Sequence, residues 1–137
     1  MQISDMKIHH FGVATSSLDA AAEAYEAQGF LRGKTTEDRR QNVKICFMEK
    51  PDELPVELIE PLGDDSPVSE MLRRSENGVE PYHVCYAVKS LDSAIADLRA
   101  EHWVLVRDPM PATAFGDARI AFLYSKEAGL IELLEKA

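Results

Sequence analysis

The feature that most constrains this chain is that it is written twice. Ile8-His9-His10-Phe11-Gly12-Val13-Ala14, followed by Ser17-Leu18-Asp19, is answered by Tyr82-His83-Val84-Cys85-Tyr86-Ala87-Val88, followed by Ser90-Leu91-Asp92, at an offset of 73 (83 − 10). Later in each half, Val56-Glu57-Leu58-Ile59-Glu60 is answered by Ile131-Glu132-Leu133-Leu134-Glu135, at an offset of 75 (132 − 57). Ile45, Phe47 and Met48 match Ile120, Phe122 and Leu123 at that same offset. A repeat of this kind means that each copy is one structural unit. Each unit then contributes one histidine from its first strand and one glutamate from its last.

Residues 7–14 read as a buried strand. Ser17 is placed to cap a helix whose first turn holds Asp19. Leu18, Ala21, Ala22 and Tyr25 follow the helical spacing, and Gly29 stands where a helix end favours glycine. Strands are expected over 30–36, 43–48 and 56–60, with turns at 37–42 and 51–55, so the order is β-α-β-β-β. The second half repeats it, with strands over 82–88, 103–106, 118–124 and 130–135 and a loop over 108–117. Module one covers about 7–62 and module two about 81–137 of a single domain. In the connecting segment, about 63–80, Ser66-Pro67 is expected to start a short helix that Asn77-Gly78 ends.

The composition sets limits on partners. A net charge of −9 argues against nucleic acid or an anionic membrane as the main partner. No apolar run is long enough to cross a bilayer. The first residues, Met1 to Lys7, lack the apolar core of a signal peptide, so a cytoplasmic location is expected. Cys46 and Cys85 lie in apolar strands and are expected to be buried, reduced thiols.

Alternate residues of a strand share a face. Val56 and Leu58 are expected on the helices, which turns Glu57 to the opposite, concave side, and Ile131 and Leu133 do the same for Glu132. His10 shares a face with Gly12, which leaves room for something to approach. With Ile45 and Phe47 assigned to the helix side, Lys44 turns to the concave side together with its repeat mate Arg119. Carboxylates in apolar strands are costly unless they are paired or bound to a cation. Two such glutamates and two histidines at repeat-related positions point to one divalent metal. The mixed nitrogen and oxygen donors suit zinc, cobalt, nickel, manganese or iron better than calcium. His9 and His102 are read as surface or packing residues.

These runs, with Glu60-Pro61-Leu62-Gly63-Asp64-Asp65-Ser66-Pro67, Ala118-Arg119-Ile120-Ala121-Phe122-Leu123 and Gly129-Leu130-Ile131-Glu132-Leu133, resemble the vicinal oxygen chelate superfamily and, within it, methylmalonyl-CoA epimerases. The resemblance implies an α+β fold in which two tandem βαβββ modules form a cupped mixed sheet around a metal. It implies His10, Glu57, His83 and Glu132 as the ligands. The chemistry it implies is electrophilic: the metal binds substrate oxygens and stabilises an enolate while a carboxylate moves the adjacent proton. Glu132 is the leading candidate for that proton transfer and Glu57 the other. Lys44 and Arg119 would hold a substrate carboxylate or oppose the enolate charge.

The chain also departs from the epimerase pattern. Lys44 aligns with a position where some epimerases carry a catalytic glutamate, and Tyr82-His83 replaces the usual His-His pair. Ala112-Thr113-Ala114-Phe115-Gly116-Asp117 replaces a glycine-rich loop. The expected function is a metal-dependent isomerase that removes a proton next to the carbonyl of an acyl-CoA or another acyl thioester. The alternatives are a glyoxalase-type lyase acting on another small carbonyl compound and a metal-free drug-binding protein of the same fold. Strand edges and helix faces of such a scaffold can pair, which makes a homodimer an expectation.

Overall fold

The computed structural model describes residues 5–136. They divide into two compact units, residues 10–82 and residues 5–9 with 83–136. Among the described residues the fold is α+β, with nine strands and few helices.

In the unit of residues 10–82, β1 (Lys7–Thr15) leads through helix α1 (Leu18–Glu26) to β2 (Leu31–Asp38), β3 (Val43–Glu49) and β4 (Val56–Pro61). The strand order is β2-β3-β4-β1. β1 and β4 run parallel with Gly12 beside Glu57, and the other neighbours are antiparallel. The helix starts as its sequence dictates: the Ser17 hydroxyl accepts from the Ala20 amide at 3.3 Å. Leu18 and Ala22 pack on Cys46, Met48, Val56 and Leu58. That packing decides which way each strand faces. On the outer strand β2, a Cβ on Gly33 would stand 2.8 Å from the Phe47 carbonyl oxygen, so only glycine lets the two backbones approach there. The short helix α2 (Ser69–Arg73) begins two residues later than Ser66-Pro67 suggests. Ser66 instead turns the chain into it, its carbonyl accepting from the Ser69 amide.

The other unit repeats the plan with β5 (Val79–Val88), α3 (Leu91–Ala100), β6 (Val104–Leu105), β7 (Met110–Ala112), β8 (Ala118–Ser125) and β9 (Gly129–Glu135). Its order is β5-β9-β8-β6, with β7 also paired to β8. Ser90 caps α3 by accepting from the Ser93 amide at 3.2 Å. Leu91, Ala94, Ile95 and Leu98 pack on Ala121, Leu123, Ile131 and Leu133. The segment expected to be a plain loop, 108–117, contains β7 and a 3-10 turn, Thr113–Phe115. Pro111 is tolerated there because β7 is a peripheral strand of three residues. Among the described residues no helix is long and apolar enough to cross a membrane. Cys46 and Cys85 are both buried thiols.

Candidate metal centre

The alternation of β4 and β9 positions the acidic groups. Val56 and Leu58 sit in the core beneath α1, so Glu57 between them faces the other side of its sheet. Ile131 and Leu133 sit beneath α3, so Glu132 is turned the same way in its own unit. Each glutamate meets the histidine of its unit. His10 Nε2 stands 3.2 Å from Glu57 Oε1, and His83 Nε2 stands 2.9 Å from Glu132 Oε1. All four residues are buried: His10 is 0% exposed, Glu57 3%, His83 6% and Glu132 3%.

The repeat extends to the walls of each pair. Phe47 lies opposite Glu57 in the β3–β4 register, and its ring meets the His10 imidazole edge-on with centroids 5.1 Å apart. Phe122 lies opposite Glu132, and its ring meets the His83 imidazole at 5.5 Å. The expectation that Phe47 lies on the helix side fails: it shares with its repeat mate Phe122 a place opposite the glutamate of its unit. The signal for their real place was the match itself, since each precedes the glutamate of its unit by the same interval in sequence (57 − 47 and 132 − 122).

The donor chemistry fits a divalent cation. An imidazole nitrogen and a carboxylate oxygen are the donors that zinc and its neighbours accept, at about 2.0–2.2 Å from the ion. Two donors at about 2.1 Å on perpendicular axes are roughly 3.0 Å apart, and the pair separations of 3.2 and 2.9 Å agree with that spacing. A cation would also offset the cost of burying a carboxylate among aromatic and aliphatic side chains.

Lys44 and Arg119 require a correction. The expectation that they share the face of Glu57 and Glu132 fails, because α1 packs on Cys46 and Met48 rather than on Ile45 and Phe47. Lys44 has the parity of Cys46, so it lies on the helix side. There its Nζ is 3.0 Å from Glu60 Oε2, while Glu60 Oε1 accepts from the Leu18 amide at 2.8 Å. Arg119 has the parity of Ala121, which packs on α3. Its guanidinium reaches Glu135 Oε2 at 3.3 Å and Asp92 Oδ1 at 3.2 Å, and Glu135 Oε2 accepts from the Leu91 amide at 2.9 Å.

The repeat therefore builds a second device besides the histidine–glutamate pair. In each unit the final glutamate of the last strand accepts from the first amide of the helix, and a cation pairs with that glutamate. The Leu91 amide, and after it Arg119, hold the Glu135 carboxyl below its usual range. Hydrogen bonding to Glu60 raises the Lys44 ammonium, and hydrogen bonding to Glu135 raises the Arg119 guanidinium. Both cations serve the helix ends and leave the face of Glu57 and Glu132. Of the other two histidines, His9 meets the ring of Phe115, and His102 closes the end of α3 with a left-handed φ of 72°.

Comparison with known proteins finds relatives over nearly the whole chain. The family model of the Glyoxalase/Bleomycin resistance protein/Dioxygenase superfamily matches residues 9–122. The uncharacterized protein YqjC of Bacillus subtilis (strain 168) is 31% identical over 134 residues, which cover 94% of this chain and 91% of that protein. The crystal structure of methylmalonyl-CoA epimerase from Mycobacterium tuberculosis superimposes with a TM-score of 0.86 at 26% identity, covering 100% of this chain and 93% of that one. A variant of Streptomyces coelicolor methylmalonyl-CoA epimerase, in complex with 2-nitronate-propionyl-CoA, superimposes with a TM-score of 0.83 at 30% identity, covering 98% and 99% of the two chains.

Proposed function

The chain belongs to the Glyoxalase/Bleomycin resistance protein/Dioxygenase superfamily, and on that premise we propose that it is a metal-dependent enzyme of the acyl-CoA epimerase type. Its substrate would be an acyl thioester that loses a proton from the carbon beside the carbonyl. The observation that carries this reading is the recurrence, in both repeat units, of a buried histidine–glutamate pair with its nitrogen and oxygen about as far apart as two ligands of one ion. Methylmalonyl-CoA epimerases are among the structures this chain resembles over nearly its whole length.

His10, Glu57, His83 and Glu132 would hold a single divalent ion between them. The ion would supply a Lewis acid that stabilises the negative charge developing on the substrate carbonyl. Glu132 is the residue we assign to the proton transfer, with Glu57 as the alternative. The rings of Phe47 and Phe122 pack edge-on against the two imidazoles, and the burial of both pairs strengthens the electrostatic contacts made there. Lys44 and Arg119 take no part in the chemistry.

Metal content measured by mass spectrometry, on protein purified without a metal-affinity tag, tests the centre. About one ion per chain is expected, lost in His83→Ala and in Glu132→Ala. Exchange of the acyl α-proton with deuterated solvent, across a panel of acyl-CoA substrates, tests the reaction. Exchange with inversion at that carbon fits an epimerase; turnover of 2-oxo compounds without thioester exchange would indicate a glyoxalase-type lyase. A protein that takes up no ion when soaked with cobalt or zinc would overturn the reading in favour of a metal-free binding protein.

A further inference from the structure

A cavity of about 240 Å³ lies in the unit that contains Glu132, lined by His9, Phe115, Ala118, Leu134, Glu135 and Lys136. Leu134 follows Glu132 by two residues in β9, so their side chains share a face, and their Cα atoms are roughly 7 Å apart along the strand. Leu134 packs with Ile120 and Phe122 on that face, and Ala118 has their parity in β8. Phe115 comes from the 3-10 turn that Gly116 ends with a left-handed φ of 62°. Its ring meets the His9 imidazole edge-on, with centroids 5.7 Å apart and planes at 89°. The walls at Phe115, Ala118 and Leu134 are therefore aromatic and aliphatic, with His9, Glu135 and the exposed Lys136 as the polar residues of the lining.

An apolar cavity of about 150 Å³ is enough to take benzene, so this one accommodates a ring-sized group. Moving a proton at the carbon beside a carbonyl does not use that space. What can use it is whatever else that carbon carries, since Leu134 of the cavity wall lies on the same face of β9 as Glu132.

We propose that the cavity between His9, Phe115, Ala118 and Leu134 receives the substituent on the reacting carbon, and that the substrates of this chain carry there an aromatic or branched apolar group larger than methyl. The identity of the reacting carbon rests on the epimerase-type reading. Phe115 and His9 are then specificity-determining residues, and neither is among the four residues assigned to the metal.

Calorimetric binding of benzylmalonate and methylmalonate, which differ only in that substituent, tests this without turnover. The parent protein is expected to bind benzylmalonate at least about tenfold more tightly, the effect of burying one aromatic ring. Phe115→Trp and Ala118→Leu, which fill the cavity from two different walls, are expected to remove the preference and leave the metal content unchanged. Equal affinities in the parent, binding of neither acid, or a preference that survives both substitutions would overturn the proposal. If the size preference holds while no acyl-CoA exchanges its proton, the cavity assignment stands and the epimerase-type reaction is what fails.

Discussion

Removing one histidine at a time distinguishes one shared metal centre from two separate half-sites. The perturbation is His10→Ala in one protein and His83→Ala in another. A ligand that binds only the folded state adds about 2.7 kcal/mol of stability at a hundredfold excess over its dissociation constant. With an unfolding entropy of about 2.1 cal/mol/K per residue, the 137 residues convert that into a rise in Tm of about 9 °C. A thermal scan of metal-stripped protein, repeated with increasing zinc or cobalt, measures this rise, and mass spectrometry counts the ions. If four ligands share one ion, either substitution removes the whole rise and the whole ion, because the remaining donors no longer form a closed set. If each His–Glu pair binds separately, each variant keeps about half of the parent's ions and a part of the shift. Retention of half the metal in both variants would refute the shared centre. The metal-free proteins supply the control, since an intact Tm there shows that the substitution has not simply unfolded its unit.

Other predictions follow from the helix ends. Lys44→Met is expected to leave solvent exchange of the acyl proton unchanged and to cost less than about 1 kcal/mol in urea unfolding, since the pair with Glu60 is partly exposed; loss of exchange would return Lys44 to the chemistry. Ser17→Ala and Ser90→Ala should each lower stability by about 1 kcal/mol in urea unfolding, because each removes an acceptor for an amide of the first helical turn. Glu135 has a carboxyl pKa lowered by the Leu91 amide and Arg119, so its contribution is complete above the usual value of 4.5 and is lost as pH falls through the lowered one. Tm measured from pH 6 downward should therefore fall less steeply in Glu135→Gln than in the parent, and equal slopes would refute that contribution.

The orientation of Glu57 and Glu132 was legible because only one parity of β4 and β9 leaves apolar residues on both sides of a charged one. That left a single way to bury Val56 with Leu58, and Ile131 with Leu133, and it turned both glutamates to the other face. β3 offered no such asymmetry. In Val43-Lys44-Ile45-Cys46-Phe47-Met48 both parities are apolar, so local pattern could not say which set α1 would cover. The choice is made by the β3–β4 register, which sets Phe47 against Glu57 and Cys46 against Leu58. Register is a long-range property, and a slip of one residue reverses every side chain of the strand. The misplacement of Lys44 and Arg119 follows from that one ambiguity, because the repeat carried the error from one unit into the other. The same repeat contained the remedy. Lys44 with Glu60 and Arg119 with Glu135 keep the common offset of 75 (119 − 44), as do Phe47 and Phe122 (122 − 47). Two sets of side chains thus recur as units, one around a histidine and one around the first amide of a helix. Tracing which partners recur together separates the face that can bind an ion from the face that holds the helix, where the strand pattern alone could not.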